Sequence, residues 1–271
     1  MWEHLLKQVE FGSRVPGSEA HAQCLDYMEA HLKKYAENVA RQSFQHTIEK
    51  SGDNVQLTNL IASFNSSQTQ RILLAAHWDS RPWADSDTNP ENYKKPVPGA
   101  NDGASGVAIL LEIAKVLKEN PPPVGVDIIL FDGEDFGSNG IESSWAVGSQ
   151  YFAKNKDARY SPYIGLLLDM VGEKGVQIKK EGHSMNFAPD VVNVVWNYAS
   201  RLGVDAFSSE RTGPITDDHL PLLRAGIRCI NLIDLDYPQH HTLQDTPDKC
   251  SPESLEQIAK VALAVVYNPP E

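Results

Sequence analysis

Val126-Asp127-Ile128-Ile129-Leu130-Phe131 is an apolar run that gives way at once to Asp132-Gly133-Glu134-Asp135, and this junction decides the fold. A short apolar run bounded by polar residues reads as a strand buried on both faces, as in a parallel sheet covered by helices. Three other runs read alike. Arg71-Ile72-Leu73-Leu74-Ala75-Ala76-His77 leads to Asp79, and Tyr163 to Leu168 leads to Asp169. Ile227 to Ile233 is followed by Asp234, Asp236, His240 and His241. Open α/β sheets bind ligands beyond the carboxyl ends of their strands, so these acids and imidazoles are expected to share one crevice.

The intervening segments alternate with the strands. An amphipathic helix is expected over Ser18–Tyr35, with Leu25, Met28, Leu32 and Tyr35 on one face. Arg41–Ile48 and Gln56–Phe64 read as strands of a hairpin across Ser51-Gly52-Asp53. Further helices are expected from near Asp102 to Leu117, at Val191–Leu202 and at Pro252–Tyr267. Asp79–Asn101 is a long polar loop containing Pro82, Pro90, Pro96 and Pro98; such loops inside a domain are usually functional. No break in composition marks a linker. The expectation is a single α/β domain over residues 1–271, with a central mixed, twisted β-sheet flanked by α-helices.

Composition removes several function classes. A net charge of −12 argues against a nucleic-acid partner, which needs a basic surface. Cys24, Cys229 and Cys250 are too far apart for a disulfide framework or a thiolate metal site. No stretch of 18 apolar residues exists, so no transmembrane segment is expected. The start, Met1-Trp2-Glu3-His4, lacks a basic region before an apolar one. The expectation is a soluble protein, monomeric, whose location is periplasmic or secreted if a leader has already been removed.

A metal follows from the acids. Several carboxylates in one crevice repel one another, and a divalent cation removes that cost. Asp102, Asp135 and His241 offer two carboxylates and one imidazole from separate segments, which suits catalytic zinc with one open position. Glu134, adjacent to Asp135, is then free to move protons. Each residue also has a plainer reading taken alone. Glu134-Asp135 reads as a solvated pair, Asp102 as a helix N-cap, His77 as a hydrogen-bonded strand end, and Asp217-Asp218-His219 as a helix start. Trp83 and Trp145 read as packing residues, and His4, His21, His31, His46 and His183 as surface or hydrogen-bonded residues. Asp169 has fewer harmless explanations, because an unpaired buried charge is costly.

Six ordered motifs resemble the zinc peptidase-like superfamily, which contains bacterial aminopeptidases and the animal-type glutaminyl cyclases. They are Ala76–Arg81, Gly99–Gly106, Leu130–Asp135, Leu168–Gly172, Thr216–Pro221 and His241–Thr246. His77–Asp85 with its loop, and Asp217–Pro221 leading to Leu235–Pro238, are most similar to bacterial members of the cyclase family. The resemblance implies one zinc on Asp102, Asp135 and His241, with Glu134 as proton shuttle and Asp169 and Asp218 as a hydrogen-bonded acidic pair beside it. Trp145, Tyr237 and His240 would form the substrate pocket, and the substrate would be a peptide with N-terminal glutamine, converted to pyroglutamate with loss of ammonia. The rival implication is a two-zinc aminopeptidase using His77, Asp102, Asp135, Asp169 and His241, with Asp79 also a candidate near the second metal. A non-catalytic module on the same fold is a third reading, disfavoured because the ligand set is whole. One departure stands out: members commonly have Trp-His-Thr where this chain has His240-His241-Thr242, and His241 is read as the ligand because it directly precedes Thr242, with His240 the alternative.

Overall fold

The computed structural model describes residues 1–270. In chain order the elements are α1 (Trp2–Glu10), α2 (Glu19–Leu32), β1 (Asn38–Thr47), β2 (Asn54–Phe64), β3 (Arg71–His77), α3 (Ala104–Glu119), β4 (Gly125–Phe131) and α4 (Val147–Asn155). They continue as β5 (Ile164–Asp169), β6 (Ile178–Lys180), α5 (Gly182–Phe187), α6 (Pro189–Leu202), β7 (Phe207–Arg211), α7 (His219–Arg224), β8 (Cys229–Ile233) and α8 (Pro252–Tyr267). The main sheet has six strands in the order β1-β2-β4-β3-β5-β8, and β6 pairs with β7 outside it. β4, β3, β5 and β8 are parallel, while β1 and β2 join antiparallel at one edge, so the sheet is mixed.

Alternate residues of each central strand serve opposite layers. Ile72, Leu74 and Ala76 of β3 join the larger core under α1, α2, α3, α6 and α8. Leu73 and Ala75 join the smaller one, with Phe152 of α4 and Leu222 of α7. Double-sided burial explains why β3, β4, β5 and β8 carry apolar runs where edge strand β1 alternates with polar residues. No helix among the described residues is long and apolar enough to cross a membrane. Cys24, Cys229 and Cys250 are all buried and free.

Boundaries differ from expectation where caps intervene. α2 starts after Ser18, whose side chain accepts from the His21 N–H at 3.1 Å. α3 begins at Ala104 with Gly103 at the N-cap, so Asp102 is not capping that helix and its carboxylate is available elsewhere. β1 starts at Asn38 rather than Arg41, and β8 at Cys229 rather than Ile227. Helices α1, α4 and α5 and the β6–β7 pair were not expected from the sequence pattern, whereas α7 starts where Asp217-Asp218-His219 reads as a helix start, with Asp218 at its N-cap.

Gly106, in the first turn of α3, lets the helix lie directly on the end of β5. A Cβ there would run into the Leu168 carbonyl. Gly106→Ala should therefore destabilise the protein by ~1–3 kcal/mol despite alanine's better helix propensity. A urea-unfolding midpoint that rises or stays unchanged would contradict this packing.

Candidate metal and proton-transfer site

The parallel strands end together, and a cavity of about 550 Å³ opens there, lined by Asp102, Glu134, Trp145, Asp169, Asp217, His240 and His241 among others. Three loops build it, and each is held by carboxylates that accept backbone N–H groups. Asp79, just beyond β3, accepts from Glu134 N at 3.0 Å and Asp135 N at 3.1 Å. Asp245 accepts from Asn101 N at 2.8 Å and Asp102 N at 3.2 Å, so the segment after β8 clamps the loop before α3. The proline-rich loop is tied to the same segment: Ser86 N donates to the His241 carbonyl, and Asp87 accepts from Leu243 N. Gly103 packs so closely on His77 that a Cβ would meet its ring nitrogen at 2.5 Å.

The ligand atoms converge. His241 Nε2 lies 2.9 Å from Asp135 Oδ1 and 3.6 Å from Asp102 Oδ2. Zinc bonds of ~2.0 Å in a tetrahedron place neighbouring ligand atoms ~3.3 Å apart, so each carboxylate lies near the distance that sharing an ion with His241 requires. Both Asp135 carboxylate oxygens are buried with no hydrogen-bond partner, a costly state for an acid unless a cation completes it. Asp102, His240 and His241 present donor atoms all within 4.8 Å of one another, a group that does not include Asp135. The donor set of carboxylates and imidazoles fits zinc. A second group joins His77, Asp102 and Asp169. There His77 Nε2 is 3.0 Å from Asp102 Oδ1 and 3.1 Å from Asp169 Oδ1, at hydrogen-bonding range of both.

The electrostatics follow from burial and crowding. Burial, then the charge of Asp217, raises the Glu134 carboxyl well above the ordinary range. Asp135 is raised likewise, by burial and then by Asp102. Asp217 is raised to about 7 by burial and by Asp169. Burial would also raise Asp102, but the hydrogen bond and charge of His77 and the charge of His241 hold it low. Burial keeps His241 neutral by lowering it to about 4, as a metal-binding imidazole must be.

Several expected residues sit elsewhere than anticipated. Asp217 lines the cavity; Asp218 does not, and its buried oxygens lack hydrogen-bond partners, so it forms no hydrogen bond with Asp169. Asp169 pairs with His77 instead. Tyr237 is turned away from the cavity lining: it is 2 % exposed, and its hydroxyl donates to Asp245 Oδ1 at 2.8 Å. Trp145 lines the cavity, parallel to His241 at 6.1 Å between ring centroids and beside the Arg81 guanidinium. Asp132 belongs to the scaffold, accepting from Thr58 N and paired with His21, which is buried, stacked on Trp78 and hydrogen-bonded as one of its two readings anticipated.

Glu181, Asn231 and Asp245 support the site without having been singled out in the sequence. Glu181 accepts from Ile215 N, His183 N and Ser184 N and meets His219 Nε2 at 3.1 Å, anchoring both ends of the loop that carries Asp217. Asn231 Nδ2 donates to Asp217 Oδ2 at 2.6 Å. The only sequence signal for Glu181 is an acid just before a short helix, an N-cap position.

Residues 59–266 match the family model described as peptidase family M28. Aminopeptidase YwaD of Bacillus subtilis is 30 % identical over 212 residues, 72 % of this chain but only 40 % of that protein's length. Among solved structures, Bacteroides thetaiotaomicron glutaminyl cyclase bound to N-acetylhistamine is 38 % identical with a TM-score of 0.95, covering 99 % of this chain and 97 % of that one. A leucine aminopeptidase precursor from the same organism is 38 % identical with a TM-score of 0.96, covering 99 % and 96 %.

Asp79→Ala would strand two buried N–H groups beside Glu134 and Asp135. A loss of about 2–6 kcal/mol in stability is expected, at ~1–3 kcal/mol for each unsatisfied group, together with weaker metal retention. Thermal unfolding and metal analysis check both. Glu181 gives a pH test. Burial would raise its pKa, but His219 and the N–H groups of Ser184 and His183 outweigh this and lower it to about 2. Its contribution is thus complete above the unfolded value near ~4.3 and fades as pH falls towards 2. The stability gap between wild type and Glu181→Gln should shrink across that window and stay constant above it.

Proposed function

Because the chain belongs to peptidase family M28, we propose that it is a zinc-dependent glutaminyl-peptide cyclotransferase that converts N-terminal glutamine of peptides into pyroglutamate, releasing ammonia. The proposed zinc ligands are Asp102, Asp135 and His241, and one ion is proposed. The observation that carries the one-ion reading is the position of His77 Nε2. It hydrogen-bonds Asp169 Oδ1 at 3.1 Å and lies 3.0 Å from Asp102 Oδ1, and an imidazole donor placed between the two carboxylates supports one ion rather than two. The cyclase of B. thetaiotaomicron, matched almost end to end, supports the same reaction.

Zinc held there supplies a Lewis acid for the side-chain amide carbonyl of the substrate glutamine. The substrate's own α-amine is the nucleophile, so the protein need only hold the chain and manage protons. Glu134 takes a proton from the α-amine as the ring closes and delivers it to the departing nitrogen. Its burial beside Asp217 favours the protonated form, which suits the second half of that transfer. Asp169 and Asp217, on the cavity wall with Glu134, are positioned to accept hydrogen bonds from the amine and from ammonia. Trp145 supplies an apolar wall that excludes water from the reacting amide.

The aminopeptidase reading is favoured by YwaD and by the leucine aminopeptidase precursor. In it, the group of His77, Asp102 and Asp169 would hold a second ion and Glu134 would activate water. Incubation with a glutamine-initiated dipeptide and an aminoacyl amide separates the two. Cyclised peptide with ammonia is the expected product; a freed amino acid would replace the cyclase reading with the hydrolase. Glu134→Gln should retain zinc while turnover falls ~10²–10⁴-fold. Full zinc with undiminished turnover would remove Glu134 from the mechanism.

A further inference from the structure

His240 does more than wall the cavity. Neighbouring residues on an extended backbone point their side chains apart. His241 instead adopts a left-handed conformation, φ 57°. The rings of His240 and His241 lie on the same side of the chain, with centroids 3.6 Å apart and planes tilted by 40°. Both nitrogens reach the same carboxylate: His240 Nε2 is 3.8 Å from Asp102 Oδ2, and His241 Nε2 is 3.6 Å from that oxygen. A ring that served only as a stacking surface has no reason to direct a nitrogen at a ligand oxygen.

We propose that His240 is a fourth, displaceable protein ligand of the zinc: it closes the coordination shell before substrate arrives and yields its place to the substrate amide. This rests on the ligand set proposed above and adds to it. The four residues differ in accessibility in the way the proposal needs. The side chains of Asp135 and Asp102 are 1 % and 5 % exposed, that of His241 is 11 %, and that of His240 is 31 %. His241 touches both carboxylates, whereas His240 approaches only Asp102, from the cavity side. The ligand most open to the cavity and least engaged is the one an incoming carbonyl can replace. Three protein ligands and an open position describe a catalytic zinc, and four describe a closed one. A displaceable fourth imidazole lets one site be both in turn.

The test is X-ray absorption at the zinc edge, which counts imidazole ligands, with zinc affinity measured against a competing chelator. Zinc-loaded wild type should show two imidazoles, and His240→Phe, which keeps an aromatic ring but has no nitrogen, should show one. Zinc affinity should fall about tenfold or more in His240→Phe. His240→Gln gives the same comparison if the phenylalanine variant does not fold. Adding a glutamine-initiated dipeptide to zinc-loaded Glu134→Gln should lower the count from two to one. A single imidazole in wild type, or unchanged zinc affinity in a folded variant, overturns the proposal and leaves the three-ligand reading standing. Wild type that holds no zinc would overturn both.

Discussion

Glu134, Asp135, Asp102, Asp169 and Asp217 are buried close together beyond the carboxyl ends of β3, β4 and β5. Their mutual repulsion, in a region shielded from water, is the constraint to which the rest of the site answers. Burial and neighbouring acids push Glu134, Asp135 and Asp217 towards their protonated forms. The imidazole of His77 and the guanidinium of Arg81 offset part of the charge. Asp135 is the remainder: Arg81 and His241 approach it, yet neither of its carboxylate oxygens has a hydrogen-bond partner.

Around this cluster a second set of acids acts on the backbone. Asp79, Asp245 and Glu181 accept main-chain N–H groups from loops that would otherwise be free to drift apart. The division of labour is physical. A carboxylate fully engaged by N–H donors is stabilised where it stands and holds a loop, whereas one without such donors is left to bind a cation or move a proton. That distinction separates Asp245 from Asp135, although both are buried acids in loops.

The four strands of the parallel core were legible because burial on both faces leaves continuous apolar runs with polar ends. The crevice could be placed from those ends alone. What escaped the sequence was short or non-local. α5 has six residues, too few to show a helical period. Asp217 and Asp218 are neighbours of the same type, and nothing in the order of letters says which one turns into the cavity. Tyr237 looked like a wall of the pocket, but its hydroxyl found Asp245 instead. Asp79 and Asp245 find their donors 55 and 144 positions away, a relation no local pattern encodes.

The clamp from Asp245 to Asn101 has a kinetic meaning. Closing a loop of that length is entropically unfavourable until other contacts have already brought its ends together. Local pieces such as the β1–β2 hairpin can therefore form before it, while the ligand pocket waits for β8 to dock. A refolding chain would gain helix and strand signals ahead of any capacity to capture the ion, so metal uptake marks the arrival of the finished architecture.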